Sequence, residues 1–473
     1  MIMGLTPHAR HLNGLIFVYD SLMNTVRIGN GCGFWGDNLD APILLAERGK
    51  LDYLTLEYLA ELTMSILALQ KQRDPGAGYA TDFLDVLERL CPLLKTQPGL
   101  RVVTNAGGMN PSACAAAARA ILNKAGLTNR AIVTVSGDDL LPRLDALLAE
   151  GHALTNLDTG EPLTNVRQRV VSANAYLGAR PIVEALRLGA AVVITGRVAD
   201  ASLTLAPAVY QLNWPWDDWD RLCAGTIAGH LIECGAQATG GLWCNWQEAP
   251  DLAGVGYPIV EIDANGRLLL TKPAGSGGAV NRETVAEQLL YEVGDPAAYL
   301  TPDVTADFTS VSLSDAGPEV VAVVGAHGKP ATDSYKVSIA YRDGYTSSGT
   351  LVVAGPDAAA KARTCGELIL QRLRRAGVEL EQSNVECLGA GDCIPGVIGA
   401  RAEPPEMMLR VTVRDSRRAA VERFTKELAP LVTSGPPGVT GYTTGRAPVR
   451  EVFAYWPALI AKSAVTPAVW SYG

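Results

Sequence analysis

RVVTNAGG (residues 101–108), SACAAAARAILNKAG (112–126) and AIVTVSGDD (131–139) follow one another in the chain, and their order decides the fold class. The outer two begin as short runs of Val, Ile and Thr, residues that suit a pleated, buried strand. The piece between them is alanine-rich and about four turns long, which favours a helix. A helix joining two strands is too long for a hairpin and is the crossover that parallel strands require. Right-handed crossovers lay such helices on the sheet faces, so the strands are buried on both sides and read as continuous apolar runs.

The same grammar extends outward. TVRIGN (25–30) precedes DAPILLAERGK, LDYLTLEYL precedes AELTMSILALQKQ, and RVVSANAY (169–176) precedes RPIVEALRLGA and AVVITGRVAD (191–200). We therefore expect an α/β fold whose N-terminal part is a parallel sheet of βα repeats, doubly wound, with a TIM-like barrel as the alternative. From about residue 210 the texture changes. YPIVEIDANGRLLLT has the form of a hairpin turning at Asn265-Gly266. Beyond it, strands such as YKVSIAYRDGY and MMLRVTVRD mix with the helical stretch AAAKARTCGELILQRLRRAG. This predicts a C-terminal α+β domain with antiparallel strands and helices on one side. At 473 residues the chain exceeds what one core usually serves, and the expected division is 1–270 and 271–473.

Apolar residues make up 48% and charged residues 19%, a globular mix, and the net charge of −9 offers no basic patch for nucleic acid. No stretch is apolar for long enough to span a bilayer, and MIMGLTPHARHLNG has no leader pattern. Nine cysteines without a CxxC pair fit a reducing, cytoplasmic setting.

In a parallel sheet the loops after the strands collect on one edge, where ligands bind. Here those loops carry Trp35 and Asp37, then Asn105, Gly107, Gly108 and Asn110, then Asp138 and Asp139, then Asn174, then Thr195, Arg197 and Asp200. Each could be a simple turn, but five polar loops on one edge point to a shared site. Gly31-x-Gly33-x-x-Gly36 superficially fits a dinucleotide fingerprint, with Glu57 as its acid. Phe34 and Trp35 would crowd a pyrophosphate and Asp37 would repel it, so no nicotinamide or flavin cofactor is expected.

His230, Glu233, Cys234 and Gln237 share one stripe if their segment is helical, and would unite an imidazole, a carboxylate and a thiol. The bland alternative is a helix-end His, a solvated Glu and a core Cys. Gly277 and Gly278 precede a helix and could offer N–H groups to an anion. A polar loop from Thr433 to Arg446 is a second candidate. Neither a Walker loop nor a GxSxG elbow occurs.

Taken together, GFWGDNLDAP, TNAGGMNP, SANAYLGARPI, VITGRVADASLTLAP, GHLIECGAQATGG and LVTSGPPGVTG resemble the acyclic terpene utilisation AtuA family over roughly residues 25–465. The resemblance implies a place in the catabolism of citronellol- and geraniol-type acids or related branched acyl-CoA compounds. It supplies no catalytic residues. Many relatives carry a ferredoxin-like C-terminal extension, which a separate small subunit would supply here; a homo-oligomer is the other partner considered.

The expected activity is that of a lyase or hydratase, with His230 and Glu233 as an acid/base pair, assisted by Cys234, Asp139 and Asp200, and with Asn105, Asn110 or Arg197 steadying an enolate. CoA would enter as part of the substrate. A divalent metal would turn the same groups into ligands. The alternatives are a thioester or ester hydrolase with Cys234 as nucleophile and a non-catalytic substrate-binding or scaffold subunit.

Overall fold

The computed structural model describes residues 24–397, 404–441 and 445–472. The N-terminal segment in which no leader is expected, and residues 442–444 of the Thr433–Arg446 loop, lie outside them. Six strands occupy the first half: β1 (Thr25–Asn30), β2 (Tyr53–Leu56), β3 (Arg101–Thr104), β4 (Ile132–Ser136), β5 (Val170–Ala175) and β6 (Val192–Thr195). β1, β2, β3, β6 and β4 pair in that order, all parallel.

Strand alternation supplies two apolar faces. Leu54, Leu56, Val102, Ile132 and Ile194 pack against α1 (Ala41–Arg48), α3 (Asp82–Thr96) and α4 (Pro111–Lys124); α2 (Glu61–Arg73) lies between α1 and α3 in the chain. Tyr53, Val103, Val133, Val135 and Val193 face the other way. There they meet α5 (Leu144–Ala149), α6 (Arg180–Arg187), α7 (Ser202–Leu212) and α8 (Trp219–Ile232). The chain thus changes face when it returns from β4 to β6. After β3 it leads to α4 and after β6 to α7, on opposite faces, so the sheet's switch point lies between these neighbouring strands.

β7 (Ile259–Asp263) and β8 (Leu268–Thr271) form the expected hairpin, with Gly266 at φ +80° in its turn, and extend the sheet antiparallel from β1. After α9 (Arg282–Leu290), the short strands β9 (Tyr299–Leu300), β10 (Thr305–Asp307) and β13 (His327–Lys329) make a separate three-stranded sheet. β11 (Ser312–Gly317) and β12 (Val320–Val324) continue the large one. A second antiparallel sheet is organised on the 21-residue β14 (Ser334–Ala354), with β15 (Gln382–Leu388), β16 (Glu406–Asp415), β17 (Val439–Thr440) and β18 (Arg450–Ala461). The helices α10 (Ala358–Arg375) and α11 (Arg418–Phe424) cover one face of it over Leu351, Val353, Leu409 and Val411. Finally β19 (Ala468–Tyr472) returns to the large sheet beside β4.

The large sheet is an open path of ten strands from β11 to β19, so the fold is doubly wound α/β and the barrel alternative is set aside. One strand departs from expectation. β5 is not a member of the parallel sheet; it pairs antiparallel with β14, Val337 opposite Ala175. Its side chains are almost all buried, as in a central parallel strand, and burial alone does not say which backbone it bonds. Residue 270 lies within β8, inside the large sheet.

Candidate active site

The C-terminal ends of β1, β2 and β6 open on a cavity of about 430 Å³. The loop after β1 contributes Gly33, Phe34 and Asp37; the residues after β2 contribute Glu57 and Leu59 to Glu61; the loop after β6 contributes Arg197 and Asp200. The turn after α8 supplies Glu233, Cys234 and Gln237, and Leu242, Tyr257, Tyr291 and Glu292 also line it.

Arg197 is only 2% exposed. Its Nη1 donates to the Leu59 carbonyl at 2.8 Å and lies 3.0 Å from Asp200 Oδ1 and 3.9 Å from Glu57 Oε1. The guanidinium sits 4.2 Å from the ring centre of Tyr176. Burial opposes its charge, but Asp200, Tyr176, Glu57 and Glu61 outweigh burial and hold the proton above the usual arginine range. Behind it, Asp138 accepts the Arg197 backbone N–H and the Asn174 amide, each at 2.8 Å, and burial pushes its pKa up to about 6. A Cβ on Gly196 would collide with this carboxylate. Asp138 and Asn174 therefore position Arg197, and the buried Thr195 closes the strand before it.

Glu57 follows the buried β2 and is itself buried. Its Oε1 accepts from the Asn105 amide and from Leu59 N–H, while Oε2 has no hydrogen-bond partner among the described residues. Burial, then the charge of Asp200, raise its pKa well above the carboxylate range despite Arg197 and Asn105. Asp200 is raised by burial too, with Arg197 opposing. Glu61 goes the other way. Burial would raise it, but the Tyr176 hydroxyl at 2.5 Å, Arg197 and Lys336 bring it down to about 2.

Glu233 is held from two sides. Asn30 at the end of β1 donates to the carbonyls of Ile232 and Glu233 at 2.7 and 3.0 Å, tying the C-terminus of α8 to the sheet. His230 Nδ1 lies 3.3 Å from Glu233 Oε1. Burial raises the Glu233 pKa to about 7, against His230, so this carboxyl can hold or release a proton near neutral pH. Burial works against protonated His230, but the Glu233 carboxylate close beside it raises its pKa.

The expected stripe is not continuous. α8 stops at Ile232 and Gly235, at φ +60°, turns the chain, so Glu233, Cys234 and Gln237 reach the cavity from a loop. His230 stays behind them, packed 5.7 Å from the ring of Tyr299 and 5.4 Å from that of Phe308. The Cys234 thiol is pushed far above its usual value by burial and by Glu233. Asp37 accepts from Gly33 N–H at 2.8 Å and from the Tyr257 hydroxyl at 2.6 Å.

Other expected residues are engaged elsewhere. Trp35 donates to Asp82 at 3.1 Å. Asn105 Oδ1 accepts from Tyr58 N–H while its amide holds Glu57, and Asn110 caps α4 and binds the carbonyls of Pro75 and Ala77. Gly107 and Gly108 make the tight turn between them, where a Cβ on Gly107 would press on the Thr195 carbonyl. Asp139 caps a short turn through Leu141 N–H. The N–H groups of Gly277 and Gly278 donate to the carbonyls of Gly254 and Pro250, in the segment before β7. Arg446 borders a separate, smaller cavity with Ser348, Thr350 and Leu428. Among the described residues no group of three or more His, Cys, Asp or Glu is arranged to hold a metal ion, and no helix is long and apolar enough to cross a membrane.

Sequence reasoning weighed Glu57 only as a dinucleotide acid and passed over Glu61, Tyr176, Tyr257 and Glu292. An acid directly after a fully buried strand, as Glu57 is after YLTL, was the available signal. A family model described as acyclic terpene utilisation family protein AtuA matches residues 26–471. The chain belongs to this family. No curated protein and no solved structure matches it significantly. Family and geometry together leave a cavity that brings proton-holding carboxyls against an apolar rim.

Proposed function

We propose that the chain is an enzyme of acyclic terpene utilisation that adds or removes water at a branched carbon of an isoprenoid acyl chain, as a hydratase or lyase. The observation that carries this reading is the pair of buried carboxyls of raised proton affinity, Glu57 and Glu233, brought to one cavity by different elements. Glu233 acts as the acid that protonates the alkene or the departing hydroxyl, and Glu57, entering the step as a carboxylate made the stronger base by its raised proton affinity, takes the proton of the incoming water. Phe34, Leu59, Leu242 and Tyr291 receive the hydrocarbon. His230 positions Glu233 and sustains its negative form after proton transfer. Arg197 is already engaged by Leu59, Asp200 and Tyr176, so the phosphates of a CoA thioester stay outside the cavity.

The hydrolase reading is weaker because a nucleophilic cysteine needs a lowered pKa and Cys234 has a raised one. To test the proposal, purified protein is incubated in oxygen-18 water with isoprenoid acyl-CoA thioesters unsaturated or hydroxylated at the branched carbon. Mass spectrometry should show label entering the tertiary hydroxyl, and Glu233→Gln should slow this by at least about a hundredfold. Absence of labelled product, with wild type and variant alike, would sink it.

A further inference from the structure

The charges lining the cavity are strongly one-sided. Asp37, Glu57, Glu61, Asp200, Glu233 and Glu292 face it, against the guanidinium of Arg197 among the described residues. Behind this lining, Lys336 stands 3.4 Å from Glu61 and His230 3.3 Å from Glu233. Even with Glu57 and Glu233 holding protons, the remaining four acids outnumber the three cationic groups, and the potential inside favours positive charge. Glu57 Oε2 and Glu233 Oε2, on residues only 4% and 9% exposed, lack hydrogen-bond partners among the described residues, as do Asp200 Oδ1, which keeps its ion pair to Arg197, and the donor Arg197 Nε. A buried acceptor in that state gains from a cation or a donor brought to it. The rings of Phe34, Tyr257 and Tyr291 add faces of the kind that attract cations. Of the amides that would steady a negative enolate, that of Asn105 is taken up by Glu57 and that of Asn110 by the carbonyls of Pro75 and Ala77.

We propose that the cavity is selective for positive charge: it stabilises a tertiary carbocation at the branched carbon, and it binds a quaternary ammonium group in preference to a neutral or anionic group of the same shape. The mechanistic half of this inference rests on the hydration reading above. In the hydration direction the Glu233 carboxyl gives its proton to the less substituted alkene carbon, whose π electron pair becomes the new C–H bond. The other carbon is left as a tertiary cation. A lone pair of water forms the C–O bond, and the proton released from that oxygen passes to the Glu57 carboxylate. The sum is alkene plus water to tertiary alcohol, with no redox partner, and dehydration runs the same steps backward.

Isothermal titration calorimetry of the full chain with three probes tests the selectivity: choline, its uncharged carbon isostere neohexyl alcohol, and the tert-butylacetate anion. Choline should bind at least about tenfold more tightly than neohexyl alcohol, with tert-butylacetate the weakest. Choline binding should also release protons, seen as a heat that varies with the buffer. Glu57→Gln, and separately Glu292→Gln on the exposed rim, should each shrink the choline preference. The proposal is overturned if neohexyl alcohol matches choline, if the carboxylate binds best, or if choline does not bind. Labelled product together with a neutral-first ranking would leave the hydration reading standing and remove this inference. A choline preference without turnover would leave the cation site standing and remove that reading.

Discussion

Replacing Arg197 by methionine keeps an unbranched apolar stem in the same slot and removes the guanidinium. The change abolishes the 2.8 Å hydrogen bond to Leu59, the ion pairs to Asp200 and Glu57, and the stacking over Tyr176. Removing one partner of a buried ion pair costs about 3–5 kcal/mol, because the other charge is left without compensation. Two features favour the lower end. The Asp200 side chain is 38% exposed as a whole, so water replaces part of what it loses although the Oδ1 facing Arg197 is buried, and Glu57 lies at a long 3.9 Å. We expect a loss of about 3 kcal/mol at pH 8. The loss should depend on pH with a definite sign. Glu57 and Asp200 already bind protons more tightly in the fold than in water, and without Arg197 they bind them more tightly still. A carboxyl whose folded pKa exceeds its unfolded value of about 4 penalises the fold increasingly as pH rises above that value. At pH 5 the variant can neutralise these groups, and the deficit should fall to about half. Urea unfolding read by pulse proteolysis at both pH values measures it. A deficit below about 1 kcal/mol at pH 8, or one equal at the two pH values, would refute the electrostatic account of Arg197.

Three further outcomes follow from the same geometry. Because Glu233 must carry a proton to act as the acid, turnover should decline as pH rises through about 7, and Glu233→Gln should lose that limb of the profile. A wild-type rate flat from pH 6 to pH 9 would exclude it as the acid. Cys234→Ser should stay within about threefold of wild type, since burial and Glu233 keep the thiol protonated; a trapped acyl adduct on Cys234 would reverse that conclusion. Gly33→Ala places a Cβ 2.7 Å from Gly235 N and 2.9 Å from the Cys234 carbonyl carbon, so the turn carrying Glu233 must move. Stability should fall by about 1–3 kcal/mol and activity by more than tenfold, and a variant with wild-type kinetics would show that this approach does not hold Glu233 in place.

Much of the parallel core was legible from local pattern. The Val- and Ile-rich runs at 101–104, 132–136 and 192–195 became neighbouring strands, and the alanine-rich run between the first two became their crossover helix. The Asn265-Gly266 turn was also readable, because two-residue turn chemistry is local. The site was legible in part. The polar residues Asp37 after β1 and Arg197 and Asp200 after β6 do reach the cavity. Residues of the same type at 105, 110 and 139 instead stitch turns and caps, and nothing in their local sequence separates the two fates.

The amino-acid sequence by itself determined which segments are strands and helices, which family they belong to, and which edge of the parallel sheet carries polar loops. Only the tertiary structure decided that β5 joins β14 and that Glu57 meets Arg197 140 positions away in the chain. It also decided that Asn30 pins the end of α8 so that Glu233 faces the cavity while His230 stands behind it. The reason is physical. Side-chain periodicity records whether a residue is buried, and a short segment carries that record in itself. The partner of a strand, and the proton affinity of a carboxyl, depend on which distant groups exclude water around it, and that is set when the chain closes on itself.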